Sequence, residues 1–265
     1  MLILIHSSKT MLNNGSSKSN LSKPVLINQA IELNAYLKNL SLDQIAQKMK
    51  VSKLLSEKIH TQINEWTAKP EKQSAAAGSF KGDIYSGLQF GSYNKKDIIY
   101  ANQKLRIISG LYGILKPLDG IFPYRLEMAY KLAPPSFKSL YDYWGNNLAQ
   151  ELNPDETILN LTSVEYGKSV IPYLDKNLVF SPVFLTLNKD SGKFVSVAVH
   201  SKIARGSLAT WAIKNQISSP DKLKDYNLLG YQFDPTLSSQ YSPVFKATDF
   251  KGLGLSIRKK SSSNN

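Results

Sequence analysis

Two rhythms of apolar and polar residues run along this chain. Met1-Leu2-Ile3-Leu4-Ile5 is an unbroken apolar run of strand length, the signature of a strand buried on both faces. It breaks at His6-Ser7-Ser8-Lys9-Thr10, and the polar stretch 13–23 reads as an exposed loop. A helical period then takes over. Ser41-Leu42-Asp43-Gln44 predicts a capping box, with Leu42, Ile45, Ala46 and Met49 on one face of the helix it opens. A second helix is expected to turn Leu54, Leu55, Ile59, Ile63 and Trp66 inward, and residues 67–79 to form a connection. Asn94 caps an expected helix over 95–104, which leads into a β-branched strand over 105–108. Ser136 predicts a helix running through Leu152, with Leu140, Tyr143, Trp144 and Leu148 as its apolar stripe. Residues 157–161 read as a buried strand. The runs 182–187 and 193–200 read as two strands joined by the turn Asn188-Lys189-Asp190-Ser191-Gly192. A helix burying Leu208, Trp211 and Ala212 follows, then a short one starting at Pro220.

Strands and helices interleave without a strict alternating rhythm, and no Pro- or Gly-rich linker divides the chain. The expectation is an α/β protein, a mixed α+β single domain over 1–258 with a sheet surrounded by helices. The tail 259–265 (Lys-Lys-Ser-Ser-Ser-Asn-Asn) is expected to be disordered. A chain of 265 residues, 42% hydrophobic and 20% charged, can bury a sizeable core. No apolar run approaches the roughly 20 residues of a membrane-spanning helix, and the opening run is too short and too bare of basic residues for a leader. With no cysteine, disulfides, thiolate metal sites and cysteine nucleophiles are excluded, and a cytoplasmic location is expected. His6, His60 and His200 lie too far apart for metal-ligand spacing, so neither a metal site nor a cofactor is expected.

Charge changes the picture more than composition does. Lys and Arg number 33 against 20 Asp and Glu, giving +13, and the excess is spread along both halves. Such a balance favours a polyanionic partner. The candidate chemistry sits where punctuation replaces apolar repeats. Lys9 and Thr10 follow the first strand directly, a common ligand position in α/β folds, though without the glycines of a phosphate-binding loop. Lys81, Asp83 and Tyr85 offer a cation, a carboxylate and a phenol that share a face if the segment is extended, as do Arg125 and Glu127. Asn160, Glu165, Tyr166 and Lys168 end a predicted strand, and Lys202 and Arg205 bracket the start of a later helix, where anions are favoured. Trp144 and Tyr143 read as core.

Several of these segments resemble the YaaA family of bacterial peroxide-stress proteins: the opening run with Lys9-Thr10, Phe80-Lys81-Gly82-Asp83-Ile84-Tyr85-Ser86-Gly87-Leu88-Gln89, 105–119, 123–128, 141–145, 160–168, Pro182-Val183-Phe184-Leu185, 202–206 and 230–234. The likeness reaches to about Lys246. It implies protection against hydrogen peroxide and a limit on intracellular iron. It also implies a positively charged cleft, a helix-hairpin-helix-like element carried by Leu105-Arg106-Ile107-Ile108-Ser109-Gly110-Leu111-Tyr112-Gly113, and DNA binding. The residues by themselves favour a strand followed by a tight turn, and only the family likeness brings DNA binding level with that reading. The family's Ser-Pro-Ala-Lys-Thr loop is His6-Ser7-Ser8-Lys9-Thr10 here, keeping only the lysine and threonine.

Two functions follow. One is sequence-independent binding of duplex or distorted DNA by Lys9, Thr10, Lys81, Arg106, Gly110, Tyr112, Gly113, Lys116, Arg125, Lys202 and Arg205, protecting against iron-driven damage indirectly. The other is an enzyme acting on a nucleotide-like or phosphorylated small molecule. There Asp83, Glu127 or Glu165 would be the base, Tyr166 a further candidate, and Lys9 or Arg125 the anion holder.

Overall fold

The structure is a computed structural model that describes residues 1–12 and 21–252, apart from the side chain of Glu71. The tail 259–265, the boundary at 258 and most of the 13–23 loop lie outside the described residues.

The opening apolar run forms the strand Leu2–His6, every residue of which is buried. It is the centre of a five-stranded sheet, in the order Gly113–Leu115, Leu105–Ser109, Leu2–His6, Ile158–Asn160 and Val179–Phe180. Leu2–His6 runs parallel to Leu105–Ser109 on one side and to Ile158–Asn160 on the other, and Val179–Phe180 continues the parallel set. Taken in chain order, these four parallel strands stand 2-1-3-4. The chain leaves the first strand to one side and later returns to its other side, which makes a topological switch point between Leu2–His6 and Ile158–Asn160. In open α/β sheets the crevice beyond the carboxyl ends of the strands at such a point is where ligands bind.

A second, mixed sheet has the order Lys193–Val195, Val183–Asn188, Ser242–Ala247, Tyr231–Ser239. The architecture is a mixed α+β single domain. The helix Ala198–Lys214 ties it together, packing on Val183–Asn188 and on the helices Asp83–Leu88 and Lys95–Lys104. Its crossing with Asp83–Leu88 is unusually close. A Cβ built at Gly206 would stand 1.9 Å from the Ile84 carbonyl oxygen, and one at Gly87 would stand 2.1 Å from that of Ile203. Only hydrogen fits on either side, so the two backbones touch directly.

Several predicted elements hold. The helix Leu42–Met49 has its capping box, with the Gln44 N–H donating to Ser41 Oγ at 3.2 Å and the Ser41 N–H to Gln44 Oε1 at 2.8 Å. Asn94 caps Lys95–Lys104 in the same reciprocal way with Asp97. The 188–192 turn joins an antiparallel pair.

Others are corrected. Leu54 is 65% exposed, on the outer face of Lys53–Glu65. The expected helix through Leu152 is two short helices, Leu140–Trp144 and Asn147–Gln150, broken at Gly145 with φ +47°, and its cap is Ser139, not Ser136. The predicted stripe Leu140, Tyr143, Trp144 and Leu148 is nevertheless buried. His200 belongs to Ala198–Lys214 and not to a strand. The 67–79 connection carries a strand, Ser74–Ala75, and a helical turn, Ala76–Ser79. The helix Ile27–Lys38 was not anticipated; it starts at Leu26 with no side-chain cap, so the usual start signal is missing.

Candidate functional site

The switch point holds a pocket of about 320 Å³. Its floor is the end of the central strand and the loop after it, His6, Ser7, Ser8, Lys9 and Thr10. One wall is Lys81, Gly82 and Asp83, brought alongside because Thr10 pairs with Lys81 and Met11 with Phe80 in a short antiparallel ladder. Ser163, Glu165 and Tyr166 follow the neighbouring strand Ile158–Asn160 and form another wall, with Glu127 beside them. Lys202, in the first turns of Ala198–Lys214, closes the set. The glycine contact between that helix and Asp83–Leu88 sets the spacing of the two helices that carry Lys202 and Asp83 to the pocket.

The lining mixes signs, with three lysines beside three carboxylates, and so is not a uniformly basic cleft. Lys9 Nζ stands 3.8 Å from Glu127 Oε2, the lysine well exposed and the carboxylate buried. Burial pushes the Glu127 carboxyl above its ordinary range. Lys9 opposes that push, Glu165 adds to it, and Arg125 and Tyr166 oppose it. Burial also holds the Tyr166 phenol far above its usual value, and the nearby Glu127 reinforces this. Tyr166 Oη accepts a hydrogen bond from Ser7 Oγ at 3.2 Å, and its ring stacks on His6 at 4.9 Å. Glu165 accepts from the Ala129 N–H at 3.0 Å, which ties the 127–129 loop to the pocket wall. A buried carboxyl shifted upward, next to a phenol and exposed ammonium groups, is the set of groups that proton transfer uses.

His6 had no role at the sequence level. In the fold it is buried at the carboxyl end of the central strand, and Nδ1 accepts the Ser163 N–H at 3.2 Å. Burial lowers its pKa from 6.5 to about 3, assisted by Arg205 and Lys202. The only sequence signal for it is its place directly after the apolar run.

This has a consequence for acid stability. The unfolded chain takes up a proton on His6 as pH falls below 6.5, and the folded chain does not until about pH 3. Stability is therefore intact above 6.5 and is lost on acidification through that window, at up to about 1.4 kcal/mol per pH unit. Glu127, raised in the fold, acts in the opposite sense. Urea melts at pH 7.0 and 5.0 are expected to fall more steeply for the wild type than for His6→Asn; equal slopes would contradict the assignment.

The other expected site residues divide. Thr10 lines the pocket, and Arg125 and Arg205 lie close enough to bias Glu127 and His6. Arg106 and Lys116 do not reach it. They line a separate cavity with Asp119 and Glu151, where Arg106 Nη1 donates to the carbonyls of Asn102, Gln103 and Leu105. Gly110, Tyr112 and Gly113 are buried. A Cβ at Gly110 would stand 2.3 Å from the Leu126 carbonyl oxygen, and Gly113 is enclosed by Trp144, Leu148 and Leu26. The Tyr112 hydroxyl accepts from Trp66 Nε1 and from the Phe122 N–H, both at 2.9 Å. The 105–115 segment is an antiparallel β-hairpin, Leu105–Ser109 with Gly113–Leu115, and not a helix-hairpin-helix. Nor is 81–85 extended. It turns into Asp83–Leu88, which points the Tyr85 hydroxyl inward, where it donates to the His6 carbonyl at 2.9 Å.

Residues 1–237 match the family model described as peroxide stress protein YaaA. The chain belongs to the YaaA family of peroxide stress proteins. It is 43% identical over 259 residues to a UPF0246 protein of Salinispora tropica, with 98% of each chain covered. The matched span takes in every residue that lines the pocket, from His6 to Lys202. Among the described residues, no group of three His, Asp or Glu is arranged to hold a metal ion, and no helix is long and apolar enough to cross a membrane.

Proposed function

We propose that this YaaA-family protein serves in peroxide stress through a small phosphate-bearing ligand, held in the switch-point pocket and acted on by proton transfer. The observation that carries this reading is the convergence of Lys9, Lys81 and Lys202 with a buried, easily protonated Glu127 in one pocket. Its volume of about 320 Å³ sits at the lower end of small-molecule sites, roughly 300–1,000 Å³. Among the described residues lining the pocket, Lys81 and Lys202 are the cations left for a phosphate once Lys9 faces Glu127, and Arg125 and Arg205 tip the surroundings positive. Glu127 is the group that exchanges a proton with the ligand, supported by Tyr166. No cofactor is called for.

A second reading keeps DNA as the partner at a different place. The helices Leu42–Met49 and Lys53–Glu65 are joined by a tight turn at Lys50, with φ +52°, and expose Lys50, Lys53 and Lys58. Together with the charge of +13, the three lysines around that turn suit phosphate-backbone contacts, with Asp43, Glu57 and Glu65 exposed on the same helical pair.

Thermal unfolding with AMP and inorganic phosphate separates the two. Saturation at a hundredfold excess over Kd is expected to stabilise the protein by about 2.7 kcal/mol, a rise of several degrees. No shift with either probe, alongside salt-sensitive retention of a labelled duplex, would favour the second reading and reject the first.

A further inference from the structure

We propose that His6 is a ligand-binding residue, a fixed and uncharged hydrogen-bond donor whose Nε2–H meets a phosphoryl oxygen of a phosphate monoester in the switch-point pocket. The inference rests on the anion-pocket reading and adds to it the group that recognises the phosphate without charge.

The hydrogen bond from Ser163 sets the tautomer of His6. A backbone N–H can only donate, so the hydrogen bond from Ser163 to Nδ1 requires a bare lone pair on that nitrogen. The ring proton of neutral His6 therefore sits on Nε2. The ring is also held in orientation, since it stacks on Tyr166 at 4.9 Å with 25° between planes. Its own carbonyl is fixed by the Tyr85 hydroxyl. Nε2 has no hydrogen-bond partner among the described residues and is not among the buried polar atoms left unsatisfied, while the imidazole lines the pocket. An open donor on a pocket wall between Lys81 and Lys202 needs an acceptor, and an ionised phosphate oxygen presents only lone pairs. The charged groups facing the ring, Lys202 and Arg205 from the helix Ala198–Lys214, disfavour a second proton on it, and so does burial. The site thus stays a neutral donor over the range in which a phosphate monoester is dianionic. A preformed donor of this kind binds without reorganisation. A phosphate monoester of mononucleotide size also agrees with the volume.

The test compares wild type, His6→Asn and His6→Gln. The asparagine amide can still accept from Ser163 but falls short of the Nε2 position; the glutamine amide reaches it. Titration with AMP is expected to show about a tenfold loss of affinity in His6→Asn, equivalent to one hydrogen bond to a charged group, and partial recovery in His6→Gln. Thermal melts establish that both variants are folded. Nitrogen NMR of histidine-labelled wild type reads the tautomer independently of binding. The expected spectrum has His6 protonated on Nε2 alone at pH 7, with that nitrogen shifting when AMP is added. His6 protonated on Nδ1, or His6→Asn binding AMP as tightly as wild type, would overturn the proposal. If wild type fails to bind AMP although the Nε2–H tautomer is found, the pocket reading itself falls and takes the ligand assignment with it.

Discussion

Replacing Gly206 with valine should lower the melting temperature by roughly 6–12 °C. The first added carbon would overlap the Ile84 carbonyl oxygen at 1.9 Å and crowd the Leu88 nitrogen at 2.7 Å. Both obstacles are backbone, so no rotamer relieves them, and the helices Ala198–Lys214 and Asp83–Leu88 must separate. Overpacking of a rigid contact costs about 3 kcal/mol at the upper end of the usual range, and a chain of this size loses about 2–4 °C per kcal/mol. The separation also moves Lys202 away from Asp83, so ligand affinity should drop in parallel with stability. Gly78→Ala is the internal control. Nothing lies within 4 Å of a Cβ there, and its melting temperature should stay within a few degrees of wild type. A Gly206→Val protein that melts like wild type would mean that the two helices do not touch through backbone.

The second large effect is on binding. Lys202→Glu should weaken AMP about a hundredfold, because it removes a charge-assisted contact worth about 1.5–3 kcal/mol and adds repulsion. Lys116→Glu makes the same change in net charge. Since Lys116 lines the other cavity, its affinity should stay within about threefold of wild type once long-range screening is considered. Isothermal titration of both variants at 0.15 M salt decides the matter. Equal losses would mean that overall charge, and not the pocket, attracts the anion.

The two variants also show how much the sequence disclosed. Counting cations placed Arg106 and Lys116 with Lys9 and Lys202, because charge and chain order carry no information about which end of a strand faces the ligand. Arg106 is the second residue of Leu105–Ser109, away from the carboxyl end where the site forms, whereas Lys9 follows the end of its strand. Local rules worked where the chain signals locally. The reciprocal caps at Ser41 and Asn94 and the all-apolar central strand were legible for that reason. They failed where tertiary contact decides. Gly82 introduces a helical turn that rotates Tyr85 beneath the central strand, and no alternation rule anticipates this. Glu165 and Lys202 were visible as candidates because they stand beside predicted element ends, and Glu127 because it is paired in sequence with Arg125. His6 was not, because a lone histidine after an apolar run acquires meaning only when the Ser163 N–H arrives from 157 residues away.

Anomalous diffraction from crystals soaked in tungstate, a phosphate-shaped dianion, tests the central claim most directly. One well-occupied peak is expected at the carboxyl end of the central strand, within contact distance of Lys81, Lys202 and the His6 ring. A pocket without signal, with tungstate instead on the Arg106 and Lys116 face or along the helical pair 42–65, would contradict it.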